Sequence, residues 1–316
     1  MSTRYALIGA AGYIAPRHLK AIRETGGVLD VAHDVTDSVG IMDGHFPDAA
    51  FFTEFERFAL YLDGERRAGR PIDYVAICSP NYLHKAHCAA AMRAGSDVIC
   101  EKPLVLDPSD LDDLAAVEAE TGRRVNSILQ LRLHPAIVSL RDRIAAGDPA
   151  QVHEVDLGYF TSRGAWYHAS WKGLAHKSGG IATNIGVHFF DMLAFVFGAL
   201  RASVVHHRAE DAAAGYLEYE RARVRWLLSI NRAHLPPQTP DGQSTYRSIT
   251  VDGEEIEFSG GFTDLHTASY RGILAGEGFG LEAARPSIEA VSAIRTAPLE
   301  AGRGEAHPML AGIRAA

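Results

Sequence analysis

The sequence predicts an α/β domain built on a doubly wound parallel sheet, followed by an α+β domain with an open, mostly antiparallel sheet. Three observations predict it. Strand-like and helix-like segments alternate through about the first 150 residues, the pattern of parallel strands joined by helical crossovers. The first strand breaks into a glycine-rich turn that opens a helix. Beyond about residue 150 the rhythm changes to long strand-like runs with few helices, as expected of an antiparallel sheet. The boundary is placed so that residues 1–130 form the first domain and 131–316 the second.

The elements follow in order. Residues 5–8 are a short apolar run that breaks into Gly9-Ala10-Ala11-Gly12-Tyr13-Ile14-Ala15, and a helical pattern then continues to about Thr25. Gly26-Gly27 stops that helix, and residues 28–33 form a second strand ending at Asp34. Further strand and helix pairs fall at 74–78 with 83–93 and at 98–100 with 108–121, before a strand at 124–129. In the second half, strands are expected at 152–161, 203–208, 215–220, 222–229 and 246–251, with helices at 186–197 and 281–295. Residues 235–244 are a loop by their proline, glycine and polar content. Residues from about 301 onward are expected to be tail-like.

The 316 residues are 47% hydrophobic, ample for buried cores. Against 31 Lys and Arg stand 39 Asp and Glu, a net charge of −8 with no long run of one sign, so nothing suggests a nucleic-acid footprint. An anionic ligand must therefore meet a local basic cluster. The first 15 residues lack a signal-peptide pattern, and no stretch approaches the roughly 18 apolar residues of a membrane span, so a soluble, cytoplasmic protein is expected. Cys78, Cys88 and Cys100 are odd in number, sit in apolar contexts and lack metal-ligand spacing; they read as reduced core residues.

Four motifs carry chemistry. Gly9, Gly12 and Ala15 read G-x-x-G-x-x-A, where small residues allow a tight turn, close approach of the backbone to a pyrophosphate and close helix packing. Asp34 lies 22 residues after Gly12 at a strand end, where a carboxylate binds ribose hydroxyls and repels a 2′-phosphate. No arginine follows it, so the expected cofactor is NAD. Ser79-Pro80-Asn81 follows a strand and faces the same rim, which suits cofactor contact, although all three are also turn formers. His84, one helical step on, reads as a capping or core histidine. Glu101-Lys102-Pro103 puts an ionisable amine at a strand's C-terminal end, where open parallel sheets hold their chemistry. Asn184, His188 and Asp191 are spaced i, i+4 and i+7, so one helix would carry them on one face, where buried polar groups need partners. No third ligand stands at metal spacing, and no metal is expected.

Together, residues 9–15, Ser79-Pro80-Asn81 with His84, Glu101-Lys102-Pro103, and Ser178-Gly179-Gly180 with Asn184, His188 and Asp191 resemble the Gfo/Idh/MocA oxidoreductase family over nearly the whole chain. The resemblance implies a Rossmann domain for NAD(P), a second domain supplying the substrate site and oligomer contacts, and a lysine and a histidine near the nicotinamide and the reacting carbinol. Blocks at 8–18, 51–55, 128–132, 171–172, 182–189 and 261–266 are similar to the UDP-N-acetyl-2-amino-2-deoxyglucuronate 3-dehydrogenases of bacterial O-antigen synthesis, the WbpB/WlbA group. That similarity implies oxidation of the C3 hydroxyl of UDP-N-acetylglucosaminuronate, reoxidation of the cofactor by 2-oxoglutarate, and a homotetramer.

The same resemblance extends the site. Tyr13, Ile14, Glu101, Lys102, Gln130, Trp171 and Lys172 join Gly9, Gly12, Asp34, Ser79, Pro80, Asn81 and His84 as cofactor contacts. Arg17, Arg132, Arg163, Tyr167, Tyr246 and Arg247, with Asn184 and His188, are the substrate contacts; Lys177 is a further basic candidate. Arginine suits bidentate binding of carboxylate or phosphate. Histidine as a residue type titrates near neutrality, so His188 is taken as the base, with Lys102 hydrogen-bonding the same oxygen; a desolvated lysine makes the reverse assignment workable. Asn184 stands where many family members have aspartate, so it can position substrate but cannot take a proton. Two other readings stand beside this one: a dehydrogenase of a free sugar or inositol, and a non-catalytic NAD-sensing protein.

Overall fold

Near-continuous apolar runs at 5–8, 74–77 and 97–100 demand burial on both faces, which a parallel sheet covered by helices provides. The computed structural model describes residues 2–256, 264–300 and 302–315. Its first unit comprises Met1–Gln130 and Thr263–Arg285, and its second Leu131–Phe262 and Pro286–Ala316.

The first unit runs β1 (Arg4–Ile8), α1 (Ala15–Glu24), β2 (Val28–His33), β3 (Ala50–Phe52), α2 (Phe55–Arg67), β4 (Tyr74–Ile77), α3 (His84–Arg93), β5 (Asp97–Cys100), α4 (Pro108–Thr121) and β6 (Val125–Ser127). All six strands pair in parallel in the order β3-β2-β1-β4-β5-β6. The order reverses between β1 and β4, so the turns after those two strands flank the crevice where such sheets take ligands. Tyr5, Leu7, Leu19, Ile22 and Ile99 form the core. Only three half-buried residues make up β3, too short to show an alternation in the sequence.

The second unit adds α5 (Pro135–Ala146), β7 (His153–Thr161), α6 (Ala165–Ala169), α7 (Ala175–Ser178), α8 (Gly180–Asn184), α9 (Val187–Phe197), β8 (Leu200–Arg208), β9 (Ala212–Tyr219), β10 (Ala222–Ser229), β11 (Thr245–Val251) and β12 (Glu254–Glu255). Its sheet runs β12-β11-β7-β10-β9-β8, antiparallel except for the parallel β7–β10 pair. Phe190, Leu193, Leu217, Val224 and Trp226 centre its main core.

Three expectations are corrected. The second domain does not hold everything after residue 130: α10 (Leu265–Leu274) belongs to the first unit and packs on α1, burying Leu265, His266, Tyr270 and Ile273. The chain returns to the second unit within α11 (Leu281–Thr296). Asn184 does not share a helix with His188 and Asp191, because α8 and α9 are separated at Ile185-Gly186 and the helical segments there bend by 46°. Gly186 is required at the break, since a Cβ would stand 2.4 Å from the Ala182 carbonyl oxygen and 2.6 Å from Leu228. Finally, the C-terminal stretch is no tail: His307 and Leu310 are buried, and α12 (Leu310–Ala315) ends the chain's described structure. Leu310 packs with Phe160, Ala214 and Leu227 on a second face of the sheet.

Candidate active site

In the first unit, the glycine turn is shaped by backbone contacts. Gly9 has φ +90°, and a Cβ there would stand 2.6 Å from the Cys78 carbonyl carbon and 2.8 Å from the Ser79 nitrogen. The turn is stitched to the next strand by Gly9 and Ala10 N–H groups donating to the His33 carbonyl at 2.8 and 3.2 Å. Asp34, at the end of β2, accepts the Ala11 N–H at 2.9 Å through Oδ2, which puts its carboxylate beside the turn as the sequence spacing predicts. Tyr13 is 87% exposed, and Ile14 precedes α1, whose first turn carries no acidic side chain, leaving the helix N-terminus open to a phosphate.

The turns after β4 and β5 are tied together. Ser79 and Asn81 are buried beside the half-buried Pro80, and the Ser79 Oγ lies 2.8 Å from His87 Nδ1. His84, expected among the cofactor contacts, is buried with Nδ1 2.7 Å from the Pro103 carbonyl and Nε2 2.8 Å from the Ser79 carbonyl. It clamps one turn to the other, and its ring nitrogens are thereby used.

Glu101, also expected to face the cofactor, turns inward. Its Oε1 lies 3.1 Å from His18 Nε2 and 2.8 Å from His266 Nε2, while Oε2 accepts the Lys102 N–H at 3.2 Å. Burial alone would push this carboxyl up, but the two histidines more than reverse the effect and hold it well below its ordinary range. Lys102, next in the chain and part-buried, is followed by a cis bond to Pro103. Gln130 is buried past the end of β6, and its Oε1 has no hydrogen-bond partner among the described residues. Such an atom calls for a donor from a ligand or a water.

The second unit brings a separate group together. Asn184 Nδ2 donates to the Tyr167 hydroxyl at 2.7 Å, and Tyr167 is buried, with burial pushing its phenol up and the Asn184 hydrogen bond, then Arg163, pulling it back. Half-buried Arg247 stands over the Tyr159 ring at 5.5 Å, and Tyr159 packs on Phe189 beside His188 near the start of α9. Lys172 stands 4.3 Å from the Trp171 ring centroid and 5.7 Å from that of Trp166.

Two of the substrate assignments are weakened by geometry. The Arg132 guanidinium donates through two nitrogens to Asp191, at 3.0 and 2.7 Å. Its fork is thus engaged with a carboxylate of the protein itself. Tyr246 and Arg247 are neighbours on β11, so they point to opposite faces of the sheet. Tyr246 packs with Phe160 and Leu310 on the far face, away from Arg247. Arg17 and Arg163 are exposed, and Lys177 is half-buried. The resemblance block at 261–266 lies outside the described residues for 261–263.

Sequence reasoning missed the roles of His18, His266 and Tyr270. Both histidines end a resemblance block, yet nothing in the sequence links positions 248 residues apart, and only the docking of α10 on α1 joins them.

The comparisons with known proteins bear on the family and the fold. A model described as the oxidoreductase family's NAD-binding Rossmann fold matches residues 3–128, and one described as that family's C-terminal alpha/beta domain matches residues 141–240. The chain belongs to the Gfo/Idh/MocA oxidoreductase family. The chain is similar to the WlbA (WbpB) dehydrogenase from Thermus thermophilus, solved with NAD and UDP-GlcNAcA: 50% identity, TM-score 0.93, covering 98% of this chain and 99% of that one. A structure of the same Thermus dehydrogenase with NAD and alpha-ketoglutarate gives 52% identity, TM-score 0.94 and the same coverage. Inositol 2-dehydrogenase of Rhizobium meliloti is 30% identical over 210 residues, 65% of this chain and 58% of that protein. The matched stretches span only 36% to 68% of the first curated relatives. The first unit is thus the family's NAD-binding domain. Among the described residues no single helix is long and apolar enough to cross a membrane.

Proposed function

We propose that this protein is an NAD-dependent dehydrogenase that oxidises the C3 hydroxyl of UDP-N-acetyl-D-glucosaminuronate to the 3-keto sugar, a step toward bacterial O-antigen, and that 2-oxoglutarate recycles its cofactor. The observation that carries the reading is the full-length likeness, at 50% and 52% identity, to a dehydrogenase solved with NAD and each of those two ligands.

The residues of the first unit fit the cofactor. Gly9, with its positive φ and with a Cβ excluded by the Cys78 and Ser79 backbone, keeps the turn tight enough for close backbone approach to a pyrophosphate. The carboxylate of Asp34, beside the glycine turn, would bind the ribose hydroxyls in this reading, and the orphaned Gln130 Oε1 offers an acceptor to an amide N–H. When bound, NAD supplies a hydride acceptor at its nicotinamide C4.

In the proposed reaction, His188 takes the proton of the C3 hydroxyl as hydride leaves the same carbon, and Lys102 donates a hydrogen bond to the oxygen as it becomes a carbonyl. Asn184, whose amide already donates to Tyr167, orients the sugar and takes no proton. Arg163 and Arg247 supply positive charge for the sugar carboxylate or the diphosphate, which an acidic chain must concentrate locally. Reduction of 2-oxoglutarate reverses the same steps: hydride adds to its C2, and the protonated base returns a proton to the oxygen. A homotetramer in the cytoplasm completes the reading.

The test is to mix purified protein with UDP-N-acetylglucosaminuronate, with and without 2-oxoglutarate, and follow nicotinamide absorbance together with product mass. The expected results are loss of two hydrogens from the sugar and multiple turnovers only when 2-oxoglutarate is present. An unchanged sugar would overturn the reading in favour of a free sugar or inositol. That second reading has the inositol 2-dehydrogenase likeness in its favour.

A further inference from the structure

Behind the Glu-Lys-Pro turn lies a buried cluster to which the proposed reaction gives no role. His18, from α1, is 0% exposed; Glu101 is 5% exposed; His266 and Tyr270, from α10, are 3% and 0% exposed. The Tyr270 hydroxyl lies 2.7 Å from His18 Nδ1, and both histidine Nε2 atoms converge on Glu101 Oε1 at 3.1 and 2.8 Å. We propose that His18 and His266 are positioning residues that set Lys102 through Glu101, a proposal that rests on Lys102 serving the reaction described above.

The donor directions follow from the chemistry of each group. A carboxylate only accepts, so both imidazoles present Nε2–H to Oε1. His18 Nδ1 is then an acceptor, and Tyr270 must donate to it. With two donors on Oε1, the second oxygen accepts the backbone N–H of Lys102 at 3.2 Å. The carboxylate is thereby fixed at both oxygens and cannot rotate without abandoning a buried hydrogen bond, which is costly in a site of low polarity. Because Lys102 is the next residue, its backbone is pinned by the same bond. Burial pushes His18 down and favours its neutral form.

The same three side chains have the composition of a two-histidine, one-carboxylate metal site, with ligand atoms within 4.8 Å of one another. The N···O separations of 2.8 and 3.1 Å are those of direct hydrogen bonds. The cluster satisfies itself without an ion, and its second oxygen is aimed at the backbone of Lys102.

The test uses full-length His266→Leu, His266→Gln and Tyr270→Phe. Three quantities are read: the single-turnover rate of UDP-N-acetylglucosaminuronate oxidation, the KM of the sugar with the Kd of NAD, and the rate at which an amine-acylating reagent labels Lys102, followed by peptide mass spectrometry. In His266→Leu the single-turnover rate should fall about 100-fold, with KM and Kd within about twofold, as expected when a reacting group is misplaced by about an ångström. The same variant should change Lys102 labelling by about threefold or more, because the amine's surroundings change. His266→Gln, whose amide can still donate to Oε1, should recover most of the rate, and Tyr270→Phe should lose about three- to tenfold through one hydrogen bond. Equal losses in the Leu and Gln variants would mean packing alone and would overturn the proposal. An unchanged rate in His266→Leu, or a stoichiometric metal ion in wild-type protein that this variant lacks, would overturn it too. Should His266→Leu not fold, Tyr270→Phe decides, and an unchanged rate there sinks the idea. If wild-type protein leaves the sugar untouched, the proposed function fails while Lys102 labelling still judges the positioning role: altered labelling in His266→Leu supports it and constant labelling refutes it.

Discussion

Each unit buries a carboxylate, and the two are held by different chemistry. In the first, Glu101 rests against two imidazoles and a backbone N–H, with no arginine or lysine side chain bonded to it among the described residues. In the second, Asp191 takes a bidentate guanidinium from Arg132, with side chains 2% and 11% exposed. Burial pushes the Asp191 carboxyl above its ordinary range against the pull of Arg132, whereas the histidines hold Glu101 below its own. The difference teaches where the charge goes. The Asp191 pair cancels itself and fastens the start of the second unit to α9. The Glu101 carboxylate keeps its charge beside the backbone of Lys102.

The largest effect expected from this contrast is on catalysis. Lys102→Met should reduce turnover by about 10²–10⁴-fold while NAD affinity, measured by fluorescence titration, stays close to wild type. Retained turnover would mean that Glu101 has nothing catalytic to position.

Next come the two carboxylate sites. Arg132→Met strands a buried carboxylate and should cost about 3–5 kcal/mol in urea unfolding. Glu101→Gln keeps shape and an oxygen that can still accept from both imidazoles, so its cost should be smaller, about 1–3 kcal/mol. A reversed order would break the comparison.

Acid should separate the units less sharply, since both contain depressed histidines. Burial holds His87 in the first unit and His307 in the second down to about 4. An unfolded imidazole titrates near 6.5, at about that value in model peptides. Between those values the unfolded chain binds more protons than the folded one. Stability is therefore full above about pH 6.5 and is lost as pH falls through about 4. Glu101, being depressed, acts in the same direction. The thermal midpoint should drop by several degrees from pH 7 to pH 5; a midpoint that rises on acidification would contradict the assigned burial.

The smallest effect concerns a half-exposed carboxylate. Asp34→Ala should leave stability nearly unchanged and weaken NAD by about tenfold, or about 1.4 kcal/mol, with NADP weakened less. Equal loss for both cofactors would remove Asp34 as the discriminating group.

Much of this site was legible because local rules governed it. The glycine turn, Asp34 at a strand end and the Glu-Lys-Pro turn each declare themselves within a few residues, since tight turns and strand ends constrain the backbone locally. The one-face reading of Asn184, His188 and Asp191 failed because Gly186 yields to contacts with Ala182 and Leu228 that helical spacing cannot report. Arg132 looked like a substrate ligand for the same reason: its partner Asp191 lies 59 residues away.

By itself, then, the sequence determined two folds, the cofactor turn and the identity of the polar groups at the strand ends, because hydrophobic period and turn chemistry act over short spans of chain. Only the tertiary structure decided which of those groups are spent on one another. It sent α10 back to the first unit, placed His266 against Glu101, and gave Arg132 to Asp191. A buried charge must find its partner in space, and the chain records no trace of that distance.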